Sequence, residues 1–283
     1  MKKLIFLDLD GTLWNNEKVP LSALSAILQA KKNGHKIFAN TGRTYCEAIT
    51  SLLPLQLTGH CFSAGSEIYV GDKTILFDPL PAHSVKKMTS YLLKHHVGVS
   101  MEGSHRVYQD PINHSCFAKT IAEDANNEAL RRFMILEDIS QATKEDYNQF
   151  MKIFLCNPNG VDISTIQKGV EPDSELTMFG LDSGEITNAK HNKGTAIQTL
   201  KQYFNNAYET VAFGDSENDL TMFDVADISV AMGKYVKYNP ELKKVTDSEK
   251  EVIKKEIQEK TDFVTTDISD NGLQYAFEKL GII

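Results

Sequence analysis

The sequence predicts an α/β protein built on a doubly wound parallel sheet, interrupted by an inserted α+β domain. Short apolar runs alternate with amphipathic helices at both ends of the 283-residue chain, the pattern of a Rossmann-like parallel-sheet core. From about residue 82 to about residue 187 this alternation stops. We therefore expect residues 1–81 and 188–283 to form the core and residues 82–187 to form a second domain.

The core elements follow from apolar spacing and from turn residues. The first strand is the apolar run Leu4–Leu7, and Gly11 supplies the turn after it. Pro20 opens the first helix and Gly34 ends it. The remaining core predictions are a strand at 35–39, a helix ending before Pro54, a short strand at 61–65, a hairpin at 67–77, a helix from 193, a strand at 209–213, a helix through 220–223, a strand at 228–232, a solvated charged helix before 260, a strand at 262–266 and a closing helix at 273–280.

The inserted segment has a different, mixed order of predicted helices and strands. Val85, Met88 and Leu92 mark a helix at its start. Further predicted pieces are strands at 97–101 and 106–108, a helical stretch at 123–133, an apolar run at 151–156 and paired strands at 175–181 and 185–187. This mixed order predicts an α+β arrangement.

Composition narrows the class of protein. Hydrophobic residues make up 41% of the chain and charged residues 24%, which is ordinary for a soluble globular protein. The formal net charge of -8 argues against a nucleic-acid binder. No apolar run is long enough to span a membrane, and the N-terminus lacks the apolar stretch of a secretory signal. We expect a soluble, cytoplasmic monomer or homodimer that binds neither nucleic acid nor membranes.

The cysteines support the same location. Cys46, Cys61, Cys116 and Cys156 lie far apart and form no C-x-x-C pair. This spacing is typical of reduced thiols, so we expect neither a disulfide nor a zinc site.

Polar side chains follow the predicted core strands, and a lysine opens a core helix. Because the carboxyl ends of parallel strands meet in one crevice, these groups can converge although they lie far apart in the chain. The set consists of Asp8, Asp10, Thr41, Lys193, Asp215, Asn218 and Asp219. The carboxylates suit a hard divalent cation such as Mg²⁺. An ammonium, a hydroxyl and loop amides suit phosphoryl transfer, which depends on positioning and on neutralising charge.

Some of these residues have structural alternatives. Asp8 and Asp10 could be turn-forming residues in a solvated loop. Lys193 could be a solvated residue in the first turn of its helix, although a cation there opposes the helix dipole. Thr41 could cap the following helix. Arg43 could pair with a structural carboxylate as easily as with a substrate.

In order and spacing these residues resemble the four motifs of haloacid dehalogenase superfamily phosphatases. The motifs are Asp8-Leu-Asp10-Gly-Thr-Leu13, Thr41-Gly42-Arg43, Lys193-Gly194 and Gly214-Asp215-x-x-Asn218-Asp219. The insert between the second and third motifs resembles the α/β cap domain of the Cof-type, or IIB, branch. The resemblance covers essentially the whole chain.

The resemblance implies a role for each motif residue. Asp8 would attack phosphorus, and Asp10 would protonate the leaving oxygen and then deprotonate water. Thr41, Gly42, Lys193 and Asn218 would contact the phosphoryl group. Mg²⁺ would be bound by the Asp8 carboxylate, the Asp10 backbone carbonyl and Asp215, with Asn218 or Asp219 in support.

The chain departs from the family pattern in three places. Ala64-Gly65-Ser66 stands where the family usually has Asn-Gly-Ala. After the fourth motif, Lys234 follows Gly233 at a position where the family commonly has an asparagine. The segment 235–260 is also longer than the family pattern leads us to expect.

The favoured function is a Mg²⁺-dependent phosphatase of small phosphorylated metabolites, with sugar phosphates as the favoured class. In such an enzyme the cap chooses the leaving group, and its polar candidates are Glu102, His105, Arg106 and Asn113. A phosphotransferase or mutase on the same fold is the alternative. A non-catalytic phospholigand sensor is disfavoured because the catalytic set is intact, and a dinucleotide-binding domain is disfavoured because no G-x-G-x-x-G follows the first strand.

Overall fold

The computed structural model describes residues 1–14, 18–116, 137–233 and 255–283. Its strands are β1 (Lys3–Leu7), β2 (Lys36–Asn40), β3 (Gly59–Phe62), β4 (Glu67–Val70), β5 (Lys73–Phe77), β6 (Gly98–Gly103), β7 (Val107–Gln109), β8 (Glu137–Asp138), β9 (Phe150–Cys156), β10 (Ser174–Met178), β11 (Ser183–Asn188), β12 (Glu209–Gly214), β13 (Ile228–Ala231) and β14 (Phe263–Val264). Its helices are α1 (Leu21–Lys32), α2 (Tyr45–Leu52), α3 (Ala82–Lys94), α4 (Ile163–Gln167), α5 (Lys193–Tyr203), α6 (Leu220–Phe223) and α7 (Gly272–Lys279).

The chain forms two compact units. The core unit contains Met1–Arg43, Ala48–Leu76 and His191–Ile283. The insert unit contains Thr44–Glu47 and Phe77–Lys190. The predicted helices at 123–133 and before 260 lie wholly or mostly outside the described residues, and only 255–259 of the latter is seen, as a helix.

The core unit is a doubly wound α/β structure, as predicted. Its eight strands lie in the order β14-β13-β12-β1-β2-β3-β4-β5. The first six in this order pair in parallel, and β4 joins β3 antiparallel. All five residues of β1 are buried, because this central strand is covered on both faces.

The predicted strand at 61–65 is shorter than expected. It ends at Phe62, and Ser63 and Ala64 then take left-handed backbone conformations with φ of 50° and 53°. This turn carries hydrogen bonds to the chain after β2, where the amides of Ser63 and Ala64 donate to the carbonyls of Arg43 and Thr41. A continued strand would not point both amides at that loop.

The insert unit contains a six-stranded sheet in the order β10-β11-β9-β6-β7-β8. The pairs are antiparallel except β7 with β8. One face is apolar and packs on α3 and α4 through buried residues that include Val85, Met88, Val99, Ile153 and Ile166. We call the opposite face the polar face; it carries Ser100, Glu102, Gln109, Lys152 and Glu185.

The prediction of four reduced thiols is wrong for Cys116 and Cys156, which form a disulfide. Gly98, at the start of β6, pairs with Cys156 at the end of β9. The helical turn at 111–116 crosses the sheet here, since a Cβ on Gly98 would stand 2.6 Å from the amide nitrogen of Asn113. Antiparallel pairing and this crossing bring together two cysteines 40 residues apart, which sequence spacing does not reveal. Cys46 and Cys61 are free.

Within the described residues, no helix combines the length and the apolar character needed to cross a membrane.

Candidate active site

Three neighbouring strands of the core sheet end at the same level. Leu7 of β1 stands between Phe213 of β12 and Ala39 of β2. Asp8 therefore follows β1 beside the end of β12, and its amide donates to the Phe213 carbonyl at 3.0 Å. The parallel register thus delivers the first, second and fourth sequence motifs to one edge of the sheet.

The loop after β1 is folded around one carbonyl. The Leu9 carbonyl accepts hydrogen bonds from the amides of Thr12, Leu13 and Trp14. Gly11 has φ of +82°, and a Cβ there would stand 2.4 Å from Oδ2 of Asp215. Glycine is therefore required both by the backbone and by the approach of the Asp215 carboxylate.

Lys193 is a buried site residue, and the solvated alternative is wrong. It is the first residue of α5, which Asn192 caps through its side chain, and it is 1% exposed. Its Nζ lies 2.6 Å from Oδ1 of Asp8 and 2.6 Å from Oδ1 of Asp219. Burial disfavours the ammonium, but these two carboxylates outweigh burial and raise the pKa of Lys193.

Three carboxylates meet beside this lysine. Asp8, Asp215 and Asp219 are buried, and one oxygen of each lies within 4.8 Å of the others. Burial raises the pKa of Asp8 to about 7, although Lys193 pulls it down. Buried like charges at this spacing fit a hard divalent cation, which would offset the excess negative charge.

Asp219 also organises the loop that carries Asp215. Its Oδ2 accepts the amides of Asp215 and Ser216 at 2.8 and 2.9 Å. A Cβ on Gly214 would stand 2.3 Å from the Asp219 carboxyl carbon, so glycine is needed for this contact. Asn218 Oδ1 accepts from the Ser216 hydroxyl at 2.7 Å and lies 3.4 Å from Lys193 Nζ.

Asp10 accepts hydrogen bonds from two side chains, the cationic Arg43 and the neutral Trp14. Arg43 donates from Nε and Nη2 to its two carboxylate oxygens at 2.7 and 2.8 Å, and Trp14 Nε1 donates to Oδ1 at 3.0 Å. Burial opposes ionisation, but Arg43 and Trp14 outweigh it and hold the pKa of Asp10 below its usual range. Arg43 thus pairs with Asp10, which is itself a candidate catalytic carboxylate, and a contact of Arg43 with a substrate stays untested.

Thr41 does not cap the following helix. Its hydroxyl oxygen accepts the Arg43 amide at 3.1 Å, whereas α2 begins only at Tyr45. Nothing lies within 4 Å of a Cβ placed on Gly42, so the backbone here is open to a neighbouring group. The phosphate-contacting roles of Thr41 and Gly42 remain predictions.

Sequence reasoning missed two residues of this site. Trp14 is fully buried and donates to Asp10 through Nε1. Asn40 ends β2, and its side-chain Nδ2 donates to the Lys193 backbone carbonyl at 2.9 Å. Both signals were present, since Trp14 is the only tryptophan and Asn40 is a polar residue at the end of an apolar strand.

The four candidate residues of the insert fall into two groups. Glu102 and Asn113 are buried. His105 and Arg106 instead line a cavity of about 420 Å³, together with Tyr108 and Asp146. Any contact of these residues with a substrate remains a prediction.

The fold and the site define an α/β enzyme with a carboxylate–lysine centre at the carboxyl ends of its parallel strands. The sequence model of haloacid dehalogenase-like hydrolases matches residues 5–251. The chain therefore belongs to the haloacid dehalogenase-like hydrolase family, which confirms the resemblance and the hydrolase class predicted from the motifs.

Named relatives are similar to this chain along most of their length. The chain is 27% identical over 240 residues to the pyridoxal phosphate phosphatase YbhA of Escherichia coli, covering 82% of this chain and 88% of that one. It is 28% identical over 260 residues to the mannosyl-3-phosphoglycerate phosphatase of Pyrococcus furiosus, covering 90% and 100%. The solved structure of BT4131, described as a subclass IIB sugar phosphatase of this superfamily, superposes with a TM-score of 0.75 at 23% identity over the whole of both chains.

Proposed function

We propose that this protein is a Mg²⁺-dependent phosphatase that hydrolyses small phosphorylated metabolites, with sugar phosphates as the favoured class. The observation that carries the proposal is the contact of Lys193 with Asp8 inside a buried group of three carboxylates. A buried ammonium beside a carboxylate nucleophile supplies the positive charge that a phosphoryl group needs. The named activities of the relatives point the same way.

Asp8 is the proposed nucleophile. Its carboxylate attacks phosphorus, the bond to the leaving oxygen breaks, and the phosphoryl group remains on Asp8 until water displaces it. Lys193 holds the attacking carboxylate in place and neutralises the phosphoryl oxygens. Thr41 and Asn218 are the proposed further contacts of these oxygens, and the open backbone at Gly42 leaves room for them.

Asp10 is the proposed acid and base. With Arg43 and Trp14 in place its carboxylate is ionised, which suits the step that takes a proton from water. Protonating the leaving oxygen requires Asp10 to carry the proton itself. We therefore expect the contact with Arg43 to loosen when a phosphorylated substrate binds.

Mg²⁺ is the proposed cofactor, bound by the Asp8 and Asp215 carboxylates and the Asp10 backbone carbonyl. When bound it would supply positive charge to the reacting oxygens. Since both Asp219 oxygens already accept hydrogen bonds, Asp219 and Asn218 fit a supporting role.

The cytoplasmic location remains a prediction. One of its arguments is the reduced state of all four cysteines, and the Cys116–Cys156 bridge removes that argument. The monomer or homodimer prediction is likewise untested.

Inorganic phosphate release from a panel of phosphorylated metabolites tests the function. The panel contains sugar phosphates, pyridoxal phosphate, phosphoglycerate derivatives and a generic aryl phosphate, each with and without Mg²⁺. We expect turnover that needs Mg²⁺ and that falls by at least about 10³-fold in Asp8→Asn, which keeps the shape but removes the nucleophile.

The matched control is Asp162→Asn, the same exchange at the exposed cap of α4 in the insert. It should retain full turnover. A panel without any turnover, or an Asp8→Asn variant as active as the wild type, contradicts the proposal. Phosphate transfer to a second metabolite without release would favour the phosphotransferase alternative.

A further inference from the structure

Asn40 is a fully buried polar residue at the end of β2, directly before the candidate residue Thr41. Its side-chain amide is only half satisfied, since Nδ2 donates whereas Oδ1 makes no hydrogen bond to any described residue. A buried polar atom without a partner lowers stability, and native proteins tolerate few of them. An apolar side chain of similar shape would avoid that loss, so the presence of an asparagine calls for an explanation.

The Nδ2 group of Asn40 contacts segments that are distant in the sequence. It lies 2.9 Å from the Lys193 backbone carbonyl, 153 residues further on, and 3.7 Å from Met222 Sδ. Its two hydrogens can serve both acceptors. Lys193 begins α5, and Met222 lies in α6, which directly follows Asp219. One amide group therefore connects the segments that carry the second, third and fourth sequence motifs.

The start of α5 also packs closely against two other backbone segments. A Cβ on Gly194 would stand 2.2 Å from the Thr221 carbonyl oxygen. A Cβ on Gly65 would stand 2.8 Å from the Asn192 carbonyl oxygen. Glycine is needed at both positions for these approaches. Backbone packing and the amide contact together fix the residue from which the Lys193 side chain extends.

The Lys193 ammonium is confined between two carboxylates. Its Nζ lies 2.6 Å from an oxygen of Asp8 and 2.6 Å from an oxygen of Asp219, and the residue is 1% exposed. In a close-packed interior, the side chain has little freedom to compensate for a shift of its own backbone. A misplacement of about 1 Å at such a contact can lower a rate about a hundredfold. A group that fixes the Lys193 backbone therefore also fixes the distance between the ammonium and the Asp8 carboxylate.

We propose that Asn40 is a positioning residue, whose Nδ2 group holds the first turn of α5 so that Lys193 Nζ meets Asp8. The unpartnered Oδ1 atom is then the loss of stability that accompanies a donor at this buried position. The placement of the ammonium does not depend on the proposed function. The effect of Asn40 on phosphate release does rest on the proposed function.

Asn40→Leu removes the donor and keeps a side chain of similar size. In phosphate release with Mg²⁺ we expect kcat to fall by at least about tenfold with a smaller change in KM, because the ammonium is misplaced at the reacting atoms. The unfolding temperature of the variant should be no lower than that of the wild type, because the exchange also removes the unpartnered Oδ1. A purely structural asparagine would instead lower kcat and the unfolding temperature together.

Lysine acylation by acetic anhydride, followed by mass spectrometry, tests the same contact without any turnover. The exposed Lys168 serves as the internal reference. In the wild type Lys193 should be labelled far more slowly than this reference, because it is buried. In Asn40→Leu the ratio of Lys193 to Lys168 labelling should rise by at least about threefold, because the first turn of α5 opens more often.

Asn33→Leu is the matched control. Asn33 lies at the end of α1, and its Nδ2 also donates to a distant backbone carbonyl, that of Ile282 at 2.8 Å. This variant should keep the wild-type kcat and the wild-type labelling of Lys193. Asn40→Asp keeps the shape of the side chain but replaces the donor with an acceptor. It supplies the same two measurements should the leucine variant not fold.

Unchanged labelling of Lys193 in the variants without the donor overturns the proposal, whatever happens to kcat. An unchanged kcat in an active protein overturns it as well. So does a lower kcat that comes with earlier unfolding of Asn40→Leu, because a structural asparagine predicts that combination. Should the wild type hydrolyse no phosphate ester, the proposed function fails while lysine labelling still decides the positioning role.

Discussion

Arg43 binds Asp10 through a bidentate contact, which an arginine can make and a lysine cannot. Two N–H groups of one planar guanidinium reach the two oxygens of one carboxylate. Trp14 adds a third donor and also lies under the guanidinium, 5.5 Å from ring centre to Arg43 Cζ. The orientation of Asp10 therefore depends on two residues that are not themselves at the reacting atoms.

Arg43→Lys tests this positioning role. Lysine keeps the charge but offers one flexible donor in place of the fork, so Asp10 should lose its fixed orientation. We expect kcat to fall about tenfold with a smaller change in KM, because acid–base catalysis depends on geometry at the reacting atoms. Steady-state phosphate release gives both constants, and circular dichroism checks the fold. An unchanged kcat would show that Arg43 is only a structural partner.

Three of the candidate site residues predicted from the sequence share one property. Asp8, Thr41 and Asp215 each follow a buried strand directly, so the end of the apolar run marks them. Trp14 and Asn40 were not recovered, because what makes them functional is a contact across the fold. Those contacts are to Asp10 and to the Lys193 carbonyl, and the local signals at Trp14 and Asn40 do not reveal either partner.

At the level of elements, the insert sheet shows a period of two that the sequence only partly revealed. Along β6, Val99 and Met101 enter the apolar core, while Ser100 and Glu102 face the other way and are still buried. A buried polar face is not what alternation normally predicts, since polar positions are expected to meet water. Segment 44–47, which contributes Glu47 to this face, is distant in sequence and could not be foreseen.

Glu102 makes this face sensitive to pH. Burial and the nearby Glu47 raise the pKa of Glu102 to about 8, against 4.5 when exposed, despite the attraction of Lys152. Between these values the folded protein binds more protons than the unfolded chain. The contribution of Glu102 to stability is therefore present below about pH 4.5 and is lost as the pH rises towards 8.

Glu102→Gln should remove that dependence. Glutamine mimics the protonated acid, so the variant should gain stability relative to the wild type as the pH rises from 5 to 8, by up to about 1.4 kcal/mol per pH unit. Urea unfolding at a series of pH values measures the difference. Glu175→Gln, at an exposed position of β10, supplies the matched control. Parallel curves for wild type and Glu102→Gln would show that Glu102 is ionised throughout.

The disulfide ties the helical turn at 111–116 to the end of β9. In the folded, unreduced protein we expect a thiol reagent to label the half-buried Cys46 and to miss the fully buried Cys61. Unfolding without a reductant should expose both of these and no more, because Cys116 and Cys156 are bonded to each other. Mass spectrometry counts the labels. Four labels in the unfolded, unreduced protein would show that the bridge does not form.

On the scale of the whole molecule, the site is assembled by the sheet rather than by any segment. The Thr12 hydroxyl meets Asp215 across 203 residues, and Lys193 meets Asp8 across 185. The class of fold was predictable because the alternation of strands and helices is regular and the strand order of such sheets is restricted. The insert was predictable only as a loss of the regular alternation of strands and helices. Its strand order and its disulfide depend on long-range pairing, which the sequence does not show.

Convergence of three carboxylates from two segments, Asp8 after β1 and the pair Asp215 and Asp219 after β12, creates like-charge repulsion that a cation would relieve. Mg²⁺ bound to the folded protein but not to the unfolded chain stabilises it, by about 2.7 kcal/mol at a hundredfold excess over the dissociation constant. Asp215→Asn removes one of the three charges and one oxygen ligand. In Mg²⁺ the variant should therefore unfold at a lower temperature than the wild type.

In EDTA the order should reverse, because the variant has one buried like charge fewer beside Asp8 and Asp219. Differential scanning calorimetry in both buffers measures the four values, and Asp162→Asn, at an exposed position, should follow the wild type in each. A variant that is destabilised equally in both buffers would mean that Asp215 acts through the hydrogen bond from Thr12 rather than through charge. The reversal of sign is what separates a cation site from a structural carboxylate, since only a cation makes the same charge favourable in one buffer and unfavourable in the other.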